Sequence, residues 1–185
     1  MPQIEGFLDL LDARSFGSVW FWVVLILIWA GSGRAVLGVP TDVINRARRD
    51  PQGGPGLALL DWLTLALPRW QFGQREGVVV LGLAGFAIGS LVVLGFGYGL
   101  ELAQAASLLV VPLLLLFLMR VGLARRLVPV MSGAQDGSIA PDEATARVLR
   151  VIVIHRRLVF LLSVLAVGAT ALWGTIWQLM HPNGL

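Results

Sequence analysis

The sequence predicts an all-α integral membrane protein, a four-helix bundle with short amphipathic interfacial helices, on three observations. The 185 residues are 57% hydrophobic with a mean hydropathy of +0.81, well above the roughly 45–50% apolar content of soluble domains. Two runs, 77–97 and 102–119, carry no charge, and each matches the roughly 20 residues that cross about 30 Å of hydrocarbon. The connection between them, Phe96-Gly97-Tyr98-Gly99-Leu100-Glu101, is so short that the runs form a tight transmembrane hairpin.

Composition removes several kinds of chemistry. All 14 basic residues are arginine, so a retinal Schiff base on lysine is excluded. With zero cysteines there is no disulfide, thiolate nucleophile, or cysteine-ligated zinc or iron–sulfur site. His155 and His181 both fall at span ends, which excludes a bis-histidine haem pair inside the bilayer. The first residues carry Glu5, Asp9 and Asp12 where a cleavable signal needs positive charge, and the first span is expected to stay as an anchor. The chain is read as a single membrane domain, 1–185.

The elements follow in order. Ile4, Phe7, Leu8 and Leu11 fall on one face of a helix over 4–14, with Glu5, Asp9 and Asp12 on another; it is expected to lie along the membrane surface. Ser15 caps the first span, 16–36. Trp20 and Trp22 form an interfacial belt near its entry, and Trp29, deeper, faces a helix or a cofactor. Residues 37–76 read as a cytoplasmic loop, with Pro40, Pro51, Pro55, Pro68, Gly53-Gly54 and the basic run Arg46-Ala47-Arg48-Arg49. Within it, 57–67 is apolar but too short to cross. An interfacial helix containing Trp62 is expected there, with a re-entrant half-helix as the alternative, followed by Trp70 and Phe72 as headgroup-level anchors.

The second span, 77–97, gathers Gly82, Gly85 and Gly89 on one side, and Gly85 to Gly89 is a G-x-x-x-G match for close helix packing within the chain or in a dimer. The third, 102–123, holds Pro112 at its middle, which removes a backbone donor and is expected to kink it; Ser107 or a neighbouring helix could satisfy the freed carbonyl. After Arg120, Arg125 and Arg126 comes a polar turn region, 129–140, inside the second loop, 124–157. Pro141-Asp142-Glu143 then starts a helix that meets no breaker before Pro182. At about 60 Å it is twice the hydrocarbon thickness. Its first half projects as a cytoplasmic extension, with Ala144, Val148, Val151, Ile152 and His155 in one stripe, and its second half is the fourth span, 158–178, closed by Trp173 and Trp177.

Arginine sets the orientation. The 34–76 stretch holds six and the 120–157 stretch seven, which leaves Arg14 alone for the other side. The positive-inside rule puts both loops in the cytoplasm and both termini outside, in the periplasm if the membrane is a bacterial inner membrane.

The segments Asp12-Ala13-Arg14-Ser15-Phe16, Val36-Leu37-Gly38-Val39-Pro40-Thr41-Asp42 and Gly95-Phe96-Gly97-Tyr98-Gly99-Leu100-Glu101 resemble those of a family of small four-span inner-membrane proteins from alphaproteobacteria. Members often carry the label of a component of a SufBCD iron–sulfur assembly complex. The resemblance covers most of the chain, implies four spans in the inner membrane, and brings no catalytic residue with it.

Ionisable residues inside a span are functional candidates by default, and these spans hold almost none. Glu101 suits a helix N-terminus, Gln104 lies one turn further in, and His155 precedes Arg156-Arg157 at the cytoplasmic entry of the last span. The arginines at 46, 48, 49, 125 and 126 fit anionic lipid or a partner, at about 1 kcal/mol each for anionic headgroups. No aromatic interleaving points them to nucleic acid. No catalytic, cofactor or metal residue is assigned. The expectation is a non-catalytic accessory or scaffold subunit of a larger membrane complex, an energy-transducing one (respiratory or photosynthetic), in contact with lipids and with other subunits or itself. The alternative is a small homo-oligomeric channel or transporter whose path runs along Pro112 and Glu101.

Overall fold

A computed structural model describes residues 16–180; the expected interfacial helix at 4–14, the Ser15 cap, Arg14 and His181 lie outside the described residues. The chain is mostly helical, with 84% of the described residues in helix. In chain order it runs α1 (Val19–Ser32), β1 (Ala35–Val36), β2 (Val39–Pro40), α2 (Thr41–Arg49), α3 (Gly54–Ala66), a 3-10 turn (Leu67–Trp70), α4 (Gln74–Val92) continued by a π-helical turn (Val93–Gly97), α5 (Glu101–Gln135) and α6 (Pro141–Met180). Three helices are long and apolar enough to cross a membrane: α4 with its π turn, α5 and α6. The fourth apolar helix, α1, has 14 residues, about 21 Å.

Tertiary contacts divide the chain into two compact units. Among the described residues, unit 1 comprises 16–29, Gly77–Leu114 and 162–180; unit 2 comprises Ala30–Glu76 and Leu115–Leu161.

In unit 1, α4 and α5 are joined by the tight connection. The π turn donates from Tyr98 N–H to Val93 O at 3.2 Å, and Gly99 takes φ +75°, a conformation that favours glycine. The turn presses Gly95 onto α5, where a Cβ would stand 2.8 Å from the Gln104 nitrogen. Only glycine fits. Helix α5 then continues across Pro112 without interruption. Ser107 does not satisfy the carbonyl freed at Leu108: its hydroxyl donates to Gln104 O at 2.8 Å, because a serine in a helix reaches the carbonyl three or four residues behind it.

Unit 2 is built from the stretches the sequence read as loops. Strands β1 and β2 pair antiparallel, Ala35 with Pro40 and Val36 with Val39. Their two-residue turn, Leu37-Gly38, has φ of 55° and 92°, both positive, as the favoured hairpin turn requires. Leucine resists that conformation, and here burial of its side chain and a hydrogen bond from Trp70 Nε1 to its carbonyl at 3.3 Å hold it. Thr41 Oγ1 donates to Arg34 O at 2.7 Å and fixes the hairpin to the start of α2. Val43, Ile44 and Ala47 bury one face of α2, and Leu59, Leu60 and Leu63 one face of α3. They close a single core with Leu123, Ala124, Leu127 and Met131 of α5 and Ala144, Val148 and Ile152 of α6.

Three expectations change accordingly. The 37–76 stretch holds a hairpin and two helices rather than one short helix in a loop, because Val43, Ile44 and Ala47 sit one turn apart between the arginines and have a core to enter. The first apolar helix stops at Ser32, not 36, since Val36 is a strand residue of that core. Finally, α5 runs through Pro129 to Gln135, so the polar turn shrinks to residues 136–140; burial of Leu127 and Met131 outweighs one lost backbone bond. The turn itself is an Asp136 motif in which Ser138 N–H donates to Asp136 Oδ1 at 2.9 Å, and the Ser138 donors hold this exposed carboxylate below its usual range.

Candidate functional site

In unit 1 a network of polar side chains gathers at the start of α5. Glu101 Oε1 accepts from the Phe16 backbone N–H at 2.7 Å, and the Phe16 carbonyl accepts from Trp22 Nε1 at 3.0 Å and Gln178 Nε2 at 3.3 Å. Buried Gln104 donates through Nε2 to Gly95 O at 2.8 Å, and its Oε1 accepts from Trp173 Nε1 at 3.0 Å. The Trp173 ring meets Phe96 edge-on at 5.3 Å. Every one of these groups is committed to another part of the chain. Glu101 and Gln104, the residues a polar pathway would use, hold the entry of α1 and the π turn in place.

Unit 2 carries its own cluster on Arg120. The Arg120 Nη2 donates to Ser32 O at 3.1 Å, a cation at a helix C-terminus, where the dipole favours it. Its guanidinium stands 5.9 Å from the centroid of the Trp70 ring, within cation–π range. Trp70 and Phe72 both pack on Phe117, with centroids 6.1 and 5.6 Å away. His155 is buried on α6, three residues before the apolar run that begins at Leu158. Burial first, and then the Arg120 charge, push its imidazole below the usual range.

Between the parts of α5 and α6 that belong to unit 2 lies an open-sided cavity of about 420 Å³. Leu115, Leu118, Met119 and Gly122 of α5 face Val151, Ile154 and Leu158 of α6 across it, and Arg126 and His155 are its only polar lining residues. Among the described residues no group of three His, Cys, Asp or Glu is placed to hold a metal ion.

The residues singled out from sequence fall as follows. At Gly82, Gly85 and Gly89 a Cβ would meet nothing within 4 Å among the described residues, so none of those residues packs on that face. Of the arginines, Arg46 pairs with Asp42 at 2.9 Å, one turn away on the exposed side of α2, while Arg48, Arg49 and Arg125 are exposed. Trp20 is exposed and Trp62 is 44% exposed. Trp22, Trp70 and Trp173 instead spend their indole N–H groups inside the fold, and Trp177 is half-buried. Trp29 is buried, its Nε1 without a partner among the described residues. Sequence reasoning missed Arg120 as a cap and Gly122 as a cavity former. The only signal for the cavity was the α5 order Leu118, Gly122, Arg126 at four-residue steps.

Neither a protein-family model, nor a curated protein, nor a solved structure matches the chain.

Proposed function

We propose that this chain is a non-catalytic accessory or scaffold subunit of a larger complex in a bacterial inner membrane, an energy-transducing one. It crosses four times with both termini in the periplasm. Charge segregation supports the topology: all 13 arginines among residues 16–180 belong to unit 2, and Glu101 is the single Asp, Glu or Arg in the described part of unit 1. A unit without arginine suits hydrocarbon, and an arginine-rich one suits the cytoplasmic surface. The shortness of α1 does not count against a fourth crossing. One end of it is held through Phe16 by Glu101, the other through Ser32 by Arg120.

In this reading α3 lies in the interface. Its inner face enters the core, and its outer face presents Leu57, Trp62 and Leu65, 50%, 44% and 74% exposed, as an interfacial helix does. The resemblance to the alphaproteobacterial four-span family is part of the same proposal.

The observation that carries the subunit role is α4. None of its most apolar 18 residues is buried, against 28% for α5 and 17% for α6, and its glycine edge is open. Glycine in a spanning helix serves close approach by another helix, and none of the described residues of this chain makes it. Purification from native membranes in mild detergent, followed by mass spectrometry, is expected to recover stoichiometric partner subunits. Recovery as a lone monomer would refute the role.

A further inference from the structure

We infer that the unit 2 cavity binds one anionic phospholipid, its phosphate held by Arg126 and His155 and the first part of an acyl chain lying on the leucine walls. The inference deepens the membrane reading above and rests on it. The cavity volume of about 420 Å³ is within the range of about 300–1,000 Å³ typical of ligand sites. What gives it a ligand class is the order of its lining. Along α5 it passes from Leu115 through Leu118 and Met119 to Gly122 and then Arg126, apolar to cationic over about 16 Å of helix. Along α6, toward its N-terminus, Leu158 is followed by His155 and then by Ile154 and Val151, so the gradient is carried by α5. That is the polarity profile of an amphiphile entered tail-first.

Two further features select an anionic lipid of the bilayer. No carboxylate lines the cavity, and Arg120 adds positive potential at His155, so the polar end is complementary to a phosphate with no competing negative charge. The apolar walls are open on their outer sides, with Leu115, Leu118, Ile154 and Leu158 all exposed, so a chain longer than the cavity continues onto lipid-facing surface. Gly122 makes the space: a Cβ there would meet nothing within 4 Å. Basic pockets between spanning helices on the cytoplasmic side are a known form of lipid headgroup site.

The test uses the full chain in nanodiscs of equal phosphatidylglycerol and phosphatidylcholine, transferred to detergent, with retained lipid counted by native mass spectrometry. The expected result is about one retained phosphatidylglycerol per chain. Arg126→Gln should lower retention by about fivefold, the worth of one arginine near an anionic headgroup. Gly122→Leu, which fills the cavity without changing charge, should abolish retention of either lipid. Arg125→Gln, on an exposed neighbour that does not line the cavity, should retain lipid as the wild type does. Equal retention in wild type, Arg126→Gln and Gly122→Leu would overturn the inference. So would equal loss from Arg125→Gln and Arg126→Gln, no preference between the two lipids, or displacement by inorganic phosphate alone. Carbonate extraction separates the two levels: a chain released from membranes contradicts the membrane reading, whereas one that stays embedded yet retains no lipid contradicts the site alone.

Discussion

Unit 1 and unit 2 are made from the same long helices and obey different rules. Unit 1 holds Glu101 and no arginine among its described residues, and buries few large side chains; its specificity lies in a handful of hydrogen bonds from Gln104, Trp22, Trp173 and Gln178. Unit 2 holds 13 arginines and seven carboxylates and a contiguous core of Val36, Ile44, Leu59, Leu63, Leu127 and Ile152. The first is organised as if its surroundings were apolar and hydrogen bonds were the scarce resource. The second is organised as a water-facing domain is, apolar inside and charged outside. In hydrocarbon an unpaired polar group costs several kcal/mol, and in water apolar burial is the main favourable term.

That contrast is open to direct attack. The largest expected effect is in unit 2: Leu127→Ala, at a fully buried position, should cost about 2–5 kcal/mol in thermal or urea unfolding. The same truncation at Leu83, exposed on α4, should change stability by less than about 0.5 kcal/mol. Equal losses at the two positions would erase the distinction. Next comes Gln104→Ala, which strips Gly95 O and Trp173 Nε1 of their partner and should cost about 1–3 kcal/mol, with a change in Trp173 fluorescence as an independent readout. A null result would mean the network is decorative.

His155 gives a smaller, pH-dependent effect. Because its folded-state pKa is lowered by burial and by Arg120, the unfolded chain binds the proton more readily. The stability present above the unfolded pKa of about 6.5 is lost as pH falls below it. The unfolding midpoint should drop between neutral and mildly acidic pH in the wild type, and His155→Phe should flatten that drop. The smallest effect is Arg46→Gln. It breaks the exposed pair with Asp42 and should change stability by no more than about 0.5 kcal/mol.

How much was legible in the sequence follows the same division. The apolar runs behind α4, α5 and α6 are long, uncharged and readable by length alone, and the Gly99 turn and the Pro141 start are local signals. Unit 2 was harder. Val43, Ile44 and Ala47 are three apolar positions among three arginines and an aspartate, and neither period nor composition says that a core waits for them. Pro129 read as a break because the residues that override it, Leu127 and Met131, find their partners on α2, α3 and α6, far away in sequence. The Glu101 contact with Phe16 spans 85 residues, and the cavity needs Gly122 and His155 on separate helices. Both are tertiary facts with no local signature.

The central claim is that the arginine-bearing stretches 34–75 and 120–157 reach the same side of the membrane. The chain has no cysteine, so Arg46→Cys, Arg125→Cys and Tyr98→Cys, at three exposed positions, each give a single reactive thiol. In intact cells a membrane-impermeant maleimide is expected to label Tyr98→Cys and to leave the two arginine positions unlabelled until the membrane is opened. Labelling of Arg46→Cys and Arg125→Cys from opposite sides would contradict the account.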